Sequence, residues 1–494
     1  SEQDSLKFLA KTAFYSLKDY VIHANGVDSI LVADAMIFPD SGIITVAKNA
    51  VIQTLYDAKI LADNLTQYHA FTNAIVDIKS AHKYFGSGDY IYFDGLNKTQ
   101  NIFFKEIKVE EKDTVTIARS NISADNIFHI DSVLDFKGDI YLTADQKNLT
   151  FDGYFMINYA CSVIEKEWVS FKSIIDPKNI NLTLANKIYN DKEDLLSTGL
   201  VMSFDSSNFY STFLSKKKRA AIDLNILPTS NNLIYDKSNS TYYVGSLDTL
   251  SNYYILYDKT CKTEGHGIID LNTNLGQFNL QSIGKIFHDI NTKETEIEGF
   301  LLLDFFFSEK AMKVMSEDLY GAPGEETFEY DTNFVQNITR LVGKEKAELL
   351  LVDLEIQDEY SKFPEELKYS IILAKTKLKW DNKNKAYIGK GSFGVSSVLD
   401  MQVSSIVDGY IIIEKGIKSD IFTLYLETEL YDEYYFQYNN GVMKAYSTNP
   451  KFMAEINDVK DKKRVLEKTK NASYYRYNIA NEDVTEKFLE IVKK

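Results

Sequence analysis

The chain has 494 residues, is 45% hydrophobic, and carries 55 Lys and Arg against 71 Asp and Glu for a net charge of −16. That apolar share argues against wholesale disorder, and an acidic surface with few Arg argues against nucleic acid, whose backbone requires basic stripes. The 33 Tyr and 30 Phe, against 2 Trp and 6 Pro, favour pleated, half-buried surfaces and a mainly β fold of roughly two to four domains.

The chain opens on Ser1-Glu-Gln-Asp-Ser-Leu, with no initiator Met, signal peptide or acylated Cys, and reads as a mature form or an excised fragment. Ser5 to Asp19 is expected to form a helix. From about 20 to 160 short strands with regular turns are expected, among them 42–46, 49–53, 89–93 and 139–142, a spacing that suits a barrel, sandwich, jelly roll or solenoid. The apolar window Gly299-Phe-Leu-Leu-Leu-Asp-Phe-Phe-Phe307 is short and charge-broken and reads as a buried strand; no stretch reaches the roughly 18 apolar residues of a membrane span. Helices are expected at 308–319, with Ala311, Met312 and Met315 at helical spacing, and at 333–353, with Phe334, Ile338, Leu341 and Val342 on one face. A turn at 321–326 interrupts this helical insert, and β structure returns after Ser370. Asn440-Gly441 predicts a type I′ hairpin, Asn449-Pro450 opens a short helix, and Asn481 to Lys494 ends the chain as an amphipathic helix.

Internal repetition organises these elements. Three segments are read as sharing an apolar run ending in an aromatic residue and Asp, a polar turn, and a return strand with an aromatic residue and a Gly: 233–245, 256–267 and 378–389. Looser copies are 142–153 and 36–46. Asp and Asn accept local backbone hydrogen bonds and so punctuate a strand, while Gly marks a close backbone approach. Four regions follow: β-repeats over 1–160 and 161–305, the helical insert over 306–370, and a smaller C-terminal antiparallel sheet with terminal helices over 371–494.

Candidate chemistry is sparse. Ile388-Gly-Lys-Gly-Ser-Phe-Gly-Val395 matches a kinase glycine-rich loop, yet about one hundred residues follow and none is His, so the glycines are read as part of the hairpin repeat. The six histidines, His23, His69, His82, His129, His266 and His288, show no zinc spacing. His266, between two glycines, reads as a turn or bulge residue; it and His288 would approach each other across strands without an acid or Cys to complete a metal set. The turns Gly86-Ser-Gly-Asp89 and Asn439-Asn440-Gly441 offer oxygen ligands for Ca²⁺ but lack the spacing of a dedicated calcium loop. Lys216 to Arg219 reads as a solvated loop, and the Tyr-rich runs 431–438 and 471–477 as cross-strand packing or interface. Cys161 and Cys261 allow either one long-range disulfide or two buried thiols, which leaves the redox compartment open. No catalytic, cofactor-binding or metal residue is assigned, no cofactor is expected, and the chain is read as not an enzyme.

The Tyr-Asp, polar-turn, Tyr-x-Gly unit, with the segments 34–63 and 232–300, resembles the repeats of OstA/LptA-type β-jellyroll proteins of the bacterial cell envelope. The resemblance covers about half the chain, which departs from that family in its helical insert and its Tyr-rich C-terminal region. It implies stacked β-jellyroll or solenoid-like strands and a periplasmic or outer-membrane-associated location. The expected function is a non-catalytic structural or accessory subunit of an envelope assembly with protein partners. The alternatives are an OstA-like carrier of an amphipathic lipid, and a β-helix carbohydrate-active enzyme or carbohydrate-binding module.

Overall fold

The computed structural model describes residues 6–109, 115–126, 128–246, 250–321, 329–428, 432–466 and 473–492. It is mainly β, with large curled sheets and five α-helices among these residues: α1 (Glu309–Gly321), α2 (Thr332–Val342), α3 (Lys344–Gln357), α4 (Pro450–Asn457) and α5 (Glu482–Val492). The chain divides into two compact units, one of residues 1–160, 165–196 and 233–235, the other of 161–164, 197–232 and 236–494.

The first unit contains a three-stranded sheet of Thr12–Ser16, Val21–Asn25 and Ile43–Val46, and an 11-stranded sheet running from Ile30–Val32 to Val169–Ile174. Alternation sorts its side chains: in Ala70–Ser80 the residues Phe71, Ala74, Val76 and Ile78 are buried. The inward rings meet edge to face, Phe71 with Phe104 at 5.4 Å, Phe136 with Phe151 at 5.0 Å and Phe155 with Phe171 at 5.0 Å, a geometry that adds to area burial through the ring quadrupoles.

Three local expectations fail here. Among the described residues of 5–19 there is no helix: Thr12–Ser16 is a strand that pairs with Val21–Asn25. The Tyr20 N–H donates to the Ser16 carbonyl at 2.9 Å, with Tyr20 in the left-handed region, so a tight turn closes where a helix would continue. Residues 49–53 are not a strand, because Asn49 and Ala50 also take positive φ and only Ile52 bridges to Val46. The presumed turn at 86–89 lies inside the strand Lys83–Phe93.

The second unit is built on an antiparallel meander: Thr241–Gly245, Tyr253–Tyr257, Lys262–Ile269, Asn279–Asp289, Thr295–Asp304, Tyr369–Asp381, Ala386–Leu399, Met401–Glu414, Ile421–Glu427, Glu433–Asn439 and Val442–Ser447. The helical insert hangs between two strands that pair directly, with Ile297 opposite Leu378 and Leu302 opposite Ile372. The Asp-turn unit recurs as read: the Asp381 carboxylate accepts from the Lys383 and Asn384 N–H groups at 2.8 and 3.2 Å, and Asn440-Gly441 takes the positive φ values of a type I′ turn. The looser copy at 36–46 does not form a hairpin, since its two strands belong to different sheets.

Glycines permit the curl. Gly284 and Gly299 face each other at φ +159° and +152°, and a Cβ on Gly284 would lie 2.2 Å from the Glu298 carbonyl oxygen. The sheet bends far enough for Phe278, at its inward face, to pack edge-on against Phe422 at 4.8 Å and Tyr438 at 5.5 Å, several strands away. Helices cover both faces. Ser405 donates to the Leu319 carbonyl of α1, while its neighbour Ser404 bonds the Tyr330 hydroxyl beside α2; successive strand residues point to opposite faces. Cys161 and Cys261 form a disulfide, Cα atoms 5.2 Å apart, and the Cys161 N–H donates to the Asp258 carboxylate at 3.0 Å.

Candidate functional site

The outward face of the second unit carries an ordered array of charge. Alternation turns Glu264, His266, Lys285, Phe287, Glu296, Glu298, Lys377 and Lys379 to this face, and register aligns them. One row across four strands reads His266, Lys285, Glu298, Lys377; the next reads Glu264, Phe287, Glu296, Lys379 and continues to Ile388. The α2–α3 hairpin covers part of the same face, with Phe334 and Ile338 over Ile283, Phe300, Leu302 and Ile372. α5 covers another part, with Phe488 among Tyr410, Tyr425 and Tyr435. Elsewhere three depressions of about 210, 420 and 670 Å³ share lining residues: Lys377 belongs to the first and second, Lys379 and Trp380 to the second and third. Adjoining through these residues, they are taken together as one trough, whose third part also touches Thr263, His288 and Thr295 of the alternate positions.

Opposite charges are matched along it. Lys377 Nζ lies 2.8 Å from Glu298 and also contacts Glu296; Lys379 lies 3.3 Å from Glu296, Lys285 3.9 Å from Glu264 and Lys262 3.7 Å from Asp289. Burial, the largest single influence, pushes the Glu296 carboxyl up, but its contacts with Lys377, Glu298 and Lys379 together outweigh it and hold the group below the usual carboxylate range. Backbone N–H donation from Thr292 lowers Asp289 in the same direction. A general acid for glycoside cleavage needs a raised pKa, so Glu296 and Asp289 are suited to accept hydrogen bonds rather than to deliver protons. Tyr257 donates its hydroxyl proton to Glu264 at 2.9 Å, and burial with that contact pushes its pKa up to about 12.

His266 closes one end of the trough. It is 1% exposed, its ring stands edge-on to Tyr253 at 5.5 Å, and its Nε2 lies 3.0 Å from Asn337 Oδ1 on α2. Burial pushes its pKa down to about 4, so the ring is neutral at pH 7. With Nε2–H donating to Asn337, Nδ1 is an acceptor, and it finds no partner among the described residues. Nearby, Asp331 caps α2 by accepting from the Phe334 N–H at 2.9 Å.

The histidines foreseen as neighbours do not meet. His288 lies opposite Thr263, one residue out of phase with the His266 row, and its Nδ1 pairs with Thr295 Oγ1 at 2.9 Å on the inward face. In the first unit His69 bridges Gln146 and Tyr90, His129 meets Asp135, and His23 meets Thr45. His82 follows the strand Ala70–Ser80, its N–H donating to Ser80 Oγ at 3.3 Å. No group of three or more metal-ligating side chains occurs among the described residues.

The kinase-like glycines lie inside the strand Ala386–Leu399, with Gly391 opposite Gly409, where a strand replaces the loop that would wrap a phosphate. Of the basic run, Lys217 donates to the Asp223 carbonyl at 2.6 Å, Lys218 to the Val163 carbonyl at 2.9 Å and Arg219 to Ser207 at 2.8 Å. Tyr434, Tyr435, Tyr438, Tyr475 and Tyr477 are buried in the sheet. The trough has a sequence signal that motif searching passes over: Glu296-Ile-Glu298 and Lys375-Thr-Lys-Leu-Lys379 alternate charge at the strand period.

No protein-family model, curated protein or solved structure matches the chain.

Proposed function

We propose that the protein is a non-catalytic structural or accessory subunit of a bacterial envelope assembly, held to its partner through the N-terminal three-stranded sheet. The observation that carries this reading is the surface of that sheet. Phe14, Tyr15, Leu17, Tyr20, Ile22 and Ile43 are between 41% and 78% exposed; Tyr15 and Ile22 share one face, Phe14 and Ile43 the other, and Leu17 and Tyr20 lie in the turn, an apolar concentration in so small a sheet that favours an interaction site. Its strand Thr12–Ser16 pairs on one side only among the described residues, which leaves a row of backbone donors and acceptors. The occupant is an extended strand of a partner protein with alternating apolar side chains, added at this edge.

Two further observations support the setting. The disulfide suits an oxidising compartment, and the Asp-turn hairpins are compatible with the resemblance drawn from the sequence. No helix among the described residues is long and apolar enough to cross a membrane. The lipid-carrier alternative needs an open apolar groove, whereas the inward rings of the first unit lie against one another.

Purification from the native membrane in mild detergent, followed by identification of co-purifying chains, tests the proposal. A stoichiometric protein partner is expected, and it should be lost in Phe14→Asp and Tyr15→Asp variants whose melting temperature is unchanged. Recovery of the chain alone, or retention of the partner by both variants, would sink the idea.

A further inference from the structure

We propose that the trough on the second unit binds a neutral glycan chain. This goes beyond the assembly reading and uses a different surface, so the two stand or fall separately.

Shape is the first argument. Three linked depressions form an extended, open channel, which suits a polymer laid along it better than a compact ligand. Charge selects the class of polymer. Lys262, Lys285, Lys377 and Lys379 are matched by Asp289, Glu264, Glu296 and Glu298. A polyanion would find these four lysines occupied, with Lys390 set over the Tyr410 ring, and would approach a chain of net charge −16. A polycation would have to displace those lysines from their carboxylates. A neutral ligand meets neither cost.

Donor and acceptor chemistry selects hydroxyls. Carboxylate acceptors and ammonium donors alternate across the strands at the inter-strand spacing of about 4.8 Å. A sugar hydroxyl both donates and accepts, so a polyhydroxylated chain can satisfy either group in turn. Phe287 sits half-buried between Glu264 and Glu296 in the same row, an apolar platform for the C–H face of a pyranose ring, with Tyr257 lining the same depression. At the closed end, Asn333, Asn337 and Ser392 line the depression with His266, whose buried Nδ1 lacks a donor. A ladder that served solubility alone would require neither an aromatic ring set among its charges nor an unsatisfied acceptor.

Affinity gel electrophoresis of the full chain through an α-glucan, a β-glucan, a mannan and a xylan tests this. At least one gel should retard the protein, and retardation should persist at about half-molar salt, where exposed charge interactions are screened. Phe287→Ala should weaken the retardation about tenfold or more. Glu296→Gln should weaken it as well, and Phe14→Asp should leave it unchanged, with each variant's melting curve confirming the fold. The proposal is overturned if no neutral polysaccharide retards the chain, if both trough variants bind like the parent, or if only a polyanion such as polygalacturonate retards it.

Discussion

His288 and His266 are 3% and 1% exposed on opposite faces of one sheet, and burial pushes both pKa values down to about 4. The unfolded chain takes up protons near the ordinary histidine pKa of about 6.5, well before the native protein does. Stability is therefore complete above about 6.5 and is lost as pH falls from there towards 4, by up to about 3 kcal/mol per residue. Thermal melts between pH 7.5 and about 4.5 should show this decline, and His288→Asn should flatten it; a melting temperature constant across that window would contradict the assignment. A second residue-scale prediction concerns curvature. Gly284→Ala would place its Cβ against the Glu298 carbonyl and should cost about 3 kcal/mol or more by urea denaturation. Neither effect was legible in the sequence. In the sequence His266 and His288 read as neighbours across strands; only the register, with Thr263 opposite His288, assigns them to different faces.

At the scale of elements, the helical insert was legible in outline and misread in one detail. The expected helix over 333–353 is two helices, because Gly343 at φ +82° ends α2 by returning its N–H to the Thr339 carbonyl, and α3 restarts at Lys344. The break folds α3 back so that Leu350 and Leu354 join Phe334 and Ile338 over the sheet. Phe334 meets Phe300 at 5.3 Å. Phe334→Ala should cost about 3–5 kcal/mol, and hydrogen exchange should show 332–357 opening while the meander stays protected; loss of protection throughout would make the insert part of the sheet's own folding unit. α4 and α5 lie where capping and periodicity put them, with Asn449 accepting from the Lys451 and Phe452 N–H groups. Lys493 and Lys494, at the end of the expected last helix, and most of the 321–326 turn lie outside the described residues. The N-terminal segment failed for a tertiary reason: its apolar residues fit helical spacing, but pairing with Val21–Asn25 satisfies its backbone instead.

For the whole molecule, the disulfide spans 100 residues. In the chain-entropy account a loop of that length is worth about 4–5 kcal/mol. A Cys161→Ser, Cys261→Ser double variant should melt at lower temperature, and non-reducing peptide mapping of the parent should recover the linked pair; two free thiols in the native protein would refute the linkage. The sequence held both cysteines but could not pair them, since their approach depends on how residues 161–164 join the second unit.

Composition and local pattern alone determined that the fold is mainly β, where several of its hairpins turn and where a helical segment interrupts them, and that the histidines lack zinc spacing and the kinase-like glycines lack their catalytic partners. These follow from interactions a few residues long: Asp and Asn at turns, alternation along strands and caps at helix ends. What only the tertiary structure decided is the face each strand residue occupies, and therefore the trough, the separated histidines and the disulfide. Strand register is a non-local quantity, and a shift of one residue would exchange the charged rows for the core.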